Sequence, residues 1–86
     1  MRNISFTPSA FKEYNDWLKV DESIADKIIE LIRDIQRESF KGIGKHEPLK
    51  GNYSGFWSRR ITLEHRLIYK IETTTILIVK CEGHYE

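Results

Sequence analysis

An α+β fold is what this sequence predicts: β-α-α-β-β-β, a helical hairpin packed on a small, largely antiparallel sheet. Three observations carry that reading. The chain opens on a short run that alternates polar and apolar residues. Two stretches with helical apolar spacing follow, and three strand-like runs separated by short turns close the second half. Its 86 residues suit one domain over positions 1–86. A chain of this size buries only about 60% of its unfolded surface, so the core is adequate but thin.

From Arg2 to Phe6 the residues alternate, with Ile4 and Phe6 on one side, as in a short strand. Thr7 and Pro8 form a helix start: a hydroxyl cap, then a residue whose missing N–H costs nothing at the first helical position. Phe11, Tyr14 and Leu18 fall at i, i+3 and i+7 and give that helix an apolar stripe. Asp21 is placed to cap a second, longer helix, with Ile24, Ile28, Leu31 and Ile35 on its stripe and Ile32 beside them. Few residues join the two helices, so they are expected to pack as an antiparallel hairpin.

After Ser39 the periodicity stops. Gly42, Gly44, Pro48, Gly51, Asn52 and Gly55 punctuate a loop of about fifteen residues, a length that in small domains goes with function or disorder. Leu49 and Tyr53 are available to pin it, and the expectation is an ordered, functional loop. Strands are expected over 56–61, 65–71 and 75–81, with turns short enough for an antiparallel meander. A three-residue first turn sets Arg60 opposite Arg66 on one face. It turns Ile61, Leu67, Tyr69 and Ile71 toward the helices.

Hydrophobic residues make up 40% and charged residues 31% of the chain, values that separate it from the disordered class. The longest apolar run, Ile76 to Val79, is far short of the ~20 residues that cross a bilayer. Cys81 is the sole cysteine, which excludes an internal disulfide and fits a reducing compartment. The opening MRNISFTPSAFKEY has no apolar core ahead of a cleavage site, so the expected location is cytoplasmic. A net charge of +1 argues against a nonspecific coat on nucleic acid, but the charge is unevenly spread. Residues 1–40 hold six Lys/Arg and eight Asp/Glu. Residues 41–86 hold eight and five, with all three histidines. Such a basic half suits a site that holds a polyanion locally.

The stretch Gly42–Tyr69 concentrates the unusual chemistry, with two carboxylates, five lysine or arginine side chains and two histidines. Together with the closing His84 and Tyr85, these match what metal-free RNA cleavage requires. When a 2′-hydroxyl attacks the adjacent phosphorus, a base must take its proton. Fixed donors must hold the charge growing on the phosphate oxygens, and an acid must protonate the 5′-leaving oxygen. Glu47, on a proline-stiffened loop, is the candidate base. Arg66, Arg60 and Lys50 are candidate phosphate ligands, the guanidinium fork matching two oxygens at once. Arg59 and Lys45 are further candidates for RNA binding. His84 is the candidate acid, because imidazole titrates near neutrality. Tyr85 is placed to stack on a base or orient the phosphate.

Each of these residues also fits a plainer role. Glu47 near Lys50 suits a surface ion pair, and Arg59 with Arg60 suits a strand edge that deters sheet-to-sheet pairing. His84 and Tyr85 suit a frayed terminus, and Phe56 and Trp57 suit the core rather than a stacking platform. The pairs Cys81/His84 and His46/His65 lack the spacing of a four-ligand zinc site, and no glycine-rich phosphate loop is present. No metal and no cofactor is expected. Composition and spacing leave the nuclease reading and the plainer one both open.

The segments EPLKG, SGFWSRRI and EHRLIY closely resemble the YoeB/Txe toxins of bacterial type II toxin–antitoxin modules, within the RelE-like superfamily. The likeness runs through the whole chain to the near-terminal HY. It implies a RelE-like fold and a ribosome-dependent mRNA endonuclease, an mRNA interferase that cuts in the ribosomal A site and halts translation. It also implies roles by motif. Glu47 of EPLK stands as general base, with Lys50 beside it. Arg60 of SRRI and Arg66 of EHRL stand as phosphate-stabilising groups, and His84 as general acid with Tyr85 next to it. A cognate antitoxin, the ribosome and mRNA are the implied partners, and homodimers are common in this branch.

Two features depart from the family pattern. Glu82 and Gly83 precede the HY pair where a basic and an aromatic residue are expected, and Glu86 extends past the tyrosine. Both carboxylates add negative charge to a phosphate-binding tail. The alternative is a non-nuclease toxin on the same scaffold that binds and inhibits a target such as gyrase, since one scaffold hosts several functions. A third reading is a binding module without chemistry, whose RNA affinity falls steeply with salt.

Overall fold

Residues 1–40, 42, 44 and 46–83 are described by the computed structural model. Among them, two helices cover one face of a five-stranded mixed sheet. The elements run β1 (Asn3–Phe6), α1 (Pro8–Val20), α2 (Glu22–Arg37), β2 (Glu47–Pro48), a 3-10 turn (Gly51–Tyr53), β3 (Trp57–Arg60), β4 (Arg66–Ile71) and β5 (Thr75–Lys80). Strand order is β1-β5-β4-β3-β2, with β1 parallel to β5 and the other pairs antiparallel. The expected order of elements holds, with one addition. The long loop contributes β2, which pairs with β3 and so joins the sheet.

The helix boundaries follow from their caps. Thr7 is extended, and its hydroxyl accepts from the Ala10 N–H at 3.2 Å. Asp21 alone joins the helices. Its N–H closes α1 on the Trp17 carbonyl at 2.8 Å, and its carboxylate accepts from the Ser23 hydroxyl at 2.6 Å and N–H at 3.1 Å. These bonds favour the ionised form and hold the Asp21 carboxyl below its ordinary range.

On α2 the core stripe is the one its spacing predicts: Ile28, Leu31, Ile32 and Ile35 pack with Leu67, Tyr69, Ile76 and Ile78 of the sheet. On α1 the stripe is rotated from the expected one. Ala10 is buried and Tyr14 and Trp17 pack against the core, while Phe11 and Leu18 are 56% and 44% exposed. The indole N–H of Trp17 donates to the Cys81 carbonyl at 3.0 Å, which draws that side chain inward. Apolar character alone does not separate Phe11 from Trp17.

The expected pairing of Arg60 with Arg66 is present. Between β4 and β5 the register shifts: Tyr69 pairs with Ile78 but Ile68 with Lys80. This bulge inverts the alternation at the end of β5, so Cys81 joins Ile76 and Ile78 in the core. No helix of the described residues is long and apolar enough to cross a membrane.

Candidate active site

The pleat divides the sheet's side chains between two faces. Leu67 and Tyr69 point to the helices, so Arg66, Ile68 and Lys70 point away. Pairing carries this across the sheet: Arg60 opposes Arg66, Ser58 opposes Ile68, and Glu47 opposes Ser58. Glu47, Arg60 and Arg66 therefore share the outer face. Strand spacing and rise put the Glu47 Cα roughly 8 Å from that of Arg60 and roughly 12 Å from that of Arg66. Side chains of this length can close on a phosphodiester lying between them.

Arg66 is oriented by the turn that precedes it. Its Nη1 donates to the carbonyls of Thr62 at 2.7 Å, Leu63 at 3.1 Å and His65 at 3.2 Å. Those carbonyls offset part of the repulsion from Arg60. The Arg60 Nε is buried with no hydrogen-bond partner among the described residues. A buried cationic donor left empty is costly, and an anionic oxygen would fill it. Glu47 and Lys50 are both exposed, Lys50 at the entry to the 3-10 turn.

Arg59 points the other way, and the expectation that it meets RNA is corrected. It lies opposite Leu67 and is fully buried. Its Nη1 donates to Asp34 Oδ2 at 2.5 Å, Nε to the Tyr69 hydroxyl at 3.0 Å and Nη2 to the Glu38 carbonyl at 3.1 Å. Consecutive strand residues face opposite sides, so Arg59 and Arg60 cannot serve one surface. Burial pushes the Tyr69 hydroxyl up, with the Arg59 guanidinium pulling against it.

The buried pair also supports the loop that leads to Glu47. A Cβ on Gly42 would collide with the Asp34 carboxylate, and one on Gly44 would lie 2.7 Å from Leu31 Cδ2. Both glycines have positive φ, 121° and 84°, where side chains are strained. The Gly44 carbonyl accepts from the Arg60 N–H at 2.6 Å. The loop thus lies directly on Asp34 and Arg59 before β2 enters the sheet.

The C-terminal segment is gripped just ahead of the HY pair. Glu13 Oε1 accepts from the Cys81 N–H at 2.8 Å, and the Trp17 indole donates to the Cys81 carbonyl. His65 Nδ1 accepts from the Gly83 N–H at 2.8 Å, and the Arg66 N–H donates to the Gly83 carbonyl at 2.9 Å. The Trp17 and His65 rings meet edge-on, centroids 4.8 Å apart. Gly83 therefore lies beside Arg66, and His84 is the next residue in the chain. The candidates His84, Tyr85 and Lys45 themselves lie outside the described residues.

Sequence reasoning missed Glu13, Trp17, His65 and Asp34 as supports of the site. Asp34 left a signal, a lone carboxylate between Leu31 and Ile35 on the apolar side of α2. The others act on main-chain groups as far as 68 residues away, which no local pattern reports. His46 and His65, adjacent candidates by residue type, go to separate aromatic contacts, with Trp57 and Trp17. Among the described residues no cluster of His, Cys, Asp or Glu could hold a metal.

The chain has relatives among known proteins. The family described as the YoeB-like toxin of bacterial type II toxin–antitoxin systems matches residues 6–85. The chain is 49% identical over 80 residues to Toxin YoeB of Escherichia coli K12, covering 93% of this chain and 95% of that protein. It superposes on the YoeB dimer from Staphylococcus aureus with a TM-score of 0.92 at 44% identity, over 98% of each chain. A chain of the heterotetrameric YoeB–YefM toxin–antitoxin complex from the same organism matches with a TM-score of 0.90 at 43% identity, over 99% of each.

Proposed function

Because this chain belongs to the YoeB-like toxins of bacterial type II toxin–antitoxin systems, we propose that it is an endoribonuclease cutting messenger RNA in the ribosomal A site without a metal ion. One observation carries this reading. Glu47, Arg60 and Arg66 share the outer face of the sheet, and Gly83 is tied to Arg66 one residue before His84.

Glu47 takes the proton of the 2′-hydroxyl, whose oxygen then attacks the neighbouring phosphorus. Arg60, with its empty Nε, and Arg66 hold the non-bridging oxygens as charge accumulates there, with Lys50 adding positive potential. His84 protonates the 5′-oxygen as the P–O5′ bond breaks, and Tyr85 orients the phosphate. The products are a 2′,3′-cyclic phosphate and a 5′-hydroxyl. A net charge of only +1 gives little hold on free RNA, which favours a substrate delivered by the ribosome. The proposed partner is a YefM-like antitoxin, and the proposed free form a homodimer, by analogy with the S. aureus assemblies. The site of action is then the cytoplasm.

Mapping the ends of messenger RNA on arrested ribosomes tests this. The wild-type chain is expected to leave cyclic-phosphate and 5′-hydroxyl ends within the A-site codon. Glu47→Ala, Arg66→Ala and His84→Ala are each expected to slow cleavage by about 100-fold or more with the fold intact. Full cleavage by all three variants refutes the assigned mechanism. Intact messenger RNA beside accumulating DNA breaks points instead to inhibition of gyrase by binding.

A further inference from the structure

The outer face continues beyond Glu47. Phe56 lies across from Lys70, one step before the Trp57–Tyr69 pair, and Lys70 Nζ stands 5.7 Å from the Phe56 ring centroid. Tyr53 meets Phe56 edge-on, with centroids 6.1 Å apart and planes at 78°. Main-chain bonds hold both rings. The Phe56 N–H donates to the Tyr53 carbonyl at 3.0 Å, the Tyr53 N–H to the Lys50 carbonyl at 3.2 Å, and the Phe56 carbonyl accepts from Leu49 at 2.9 Å. Tyr53 is 40% exposed and Phe56 half-buried, and neither belongs to the core cluster. A Cβ at Gly55 would meet nothing within 4 Å, so the turn between the two rings faces open space.

We propose that Tyr53, Phe56 and Lys70 form a subsite for the nucleotide on the 5′ side of the scissile phosphate. Its base stacks on the rings, and Lys70 holds its phosphate. This rests on the endonuclease reading above. Two paired rows cross the outer face in order, Arg60 with Arg66 and Glu47 with Ser58, and continuing the same alternation just past the end of β3 adds a third, Phe56 with Lys70. Each lies two residues, roughly 7 Å, beyond the last, a span one nucleotide covers. The tail that delivers the leaving-group acid joins at the Arg66 end, and the base for the 2′-hydroxyl occupies the middle row. The RNA strand therefore runs 3′ toward Arg66 and 5′ toward Phe56. Aromatic stacking accepts any base, because every base has a π face, and it is worth roughly 5- to 150-fold in affinity.

The test uses the full chain carrying Glu47→Ala, so that RNA stays uncut. It is bound to ribosomes programmed with messenger RNA bearing 2-aminopurine on the 5′ side of the cut. Binding is expected to quench the fluorescence. Tyr53→Ala and Phe56→Leu remove the quench and weaken binding roughly 5- to 150-fold, while Tyr53→Trp keeps both. Lys70→Gln lowers the slope of log affinity against log salt by about 0.7. Thermal melts check that each variant is folded, and the exposed Tyr53 is the safer of the two aromatic positions.

Unchanged quenching and affinity in folded Tyr53→Ala overturn the subsite, and do so while wild-type cleavage upholds the endonuclease. Loss of antitoxin binding with RNA binding intact overturns it in favour of a protein interface. A quench that depends on Tyr53, beside a wild-type chain that leaves ribosomal messenger RNA whole, sinks the endonuclease and overturns the subsite with it, the rings then stacking on a base with no scissile phosphate beside it.

Discussion

Arg59 and Arg60 are neighbours on β3 whose guanidinium groups end on opposite sides of the sheet. The difference lies in what each meets. Arg59 finds Asp34, the Tyr69 hydroxyl and a carbonyl in the interior, whereas the Nε of Arg60 finds nothing among the described residues. A buried ion pair adds little net stability, but removing one member strands the other charge in a poor solvent. Asp34→Ala is therefore expected to cost about 3–5 kcal/mol in urea denaturation. Asp34→Leu combined with Arg59→Met should recover most of that loss, since apolar groups of similar volume refill the space. Cleavage should remain low in the double variant, because Gly42 loses the carboxylate and guanidinium it lies on. Equal stability of Asp34→Ala and wild type would show that the pair is not buried as described.

At the scale of elements, the site is assembled from two segments that are not themselves long strands or helices. The loop before β2 is seated on the Asp34–Arg59 pair, and the segment after β5 is held by α1 and the β3–β4 turn. His65 is the joint of the second. Its Nδ1 must carry a lone pair to accept from Gly83, so the neutral ring is the one that grips the tail. An asparagine places an acceptor near the same point and a leucine does not. His65→Leu is expected to lower kcat by up to about 100-fold with KM nearly unchanged, as small misplacements of a reacting group do. His65→Asn should restore much of the rate. Equal kcat for the two variants would remove His65 as a positioning residue.

For the molecule as a whole, Cys81 shows how one position joins core and tail. Burial, helped by the carboxylates of Glu13 and Glu82, pushes its thiol up to about 12. The folded value lies above the ordinary 9.0, so folding favours the protonated thiol. That contribution is complete below about pH 9 and is lost as pH rises toward 12. Denaturation midpoints should accordingly fall across that window in wild type and fall less in Cys81→Ala. An identical alkaline profile for both proteins would show that the thiol is not buried.

Much of this architecture was legible in local patterns. Thr7, Pro8 and Asp21 set the helix starts, α2 buries the stripe its spacing marks, and a three-residue turn pairs Arg60 with Arg66. Charge set Arg59 among the RNA-binding candidates, whereas in the fold it lies opposite Leu67 and turns inward, where Asp34, arriving from α2, receives it. The same limit explains α1, where Phe11 and Trp17 read alike until Cys81 offers the indole a carbonyl.

By itself, then, the chain determined its two helices, the closing three-strand meander and the pairing of Arg60 with Arg66, because each depends on residues a turn or a strand apart, whereas the parallel β1–β5 pairing and the entry of Glu47 into the sheet through β2 needed the folded chain. Which cation is buried and what holds the tail beside Arg66 were decided only by the tertiary structure. Those outcomes rest on contacts such as Arg59 with Asp34 and Cys81 with Glu13, which span 25 and 68 residues and form only once helix and sheet have packed.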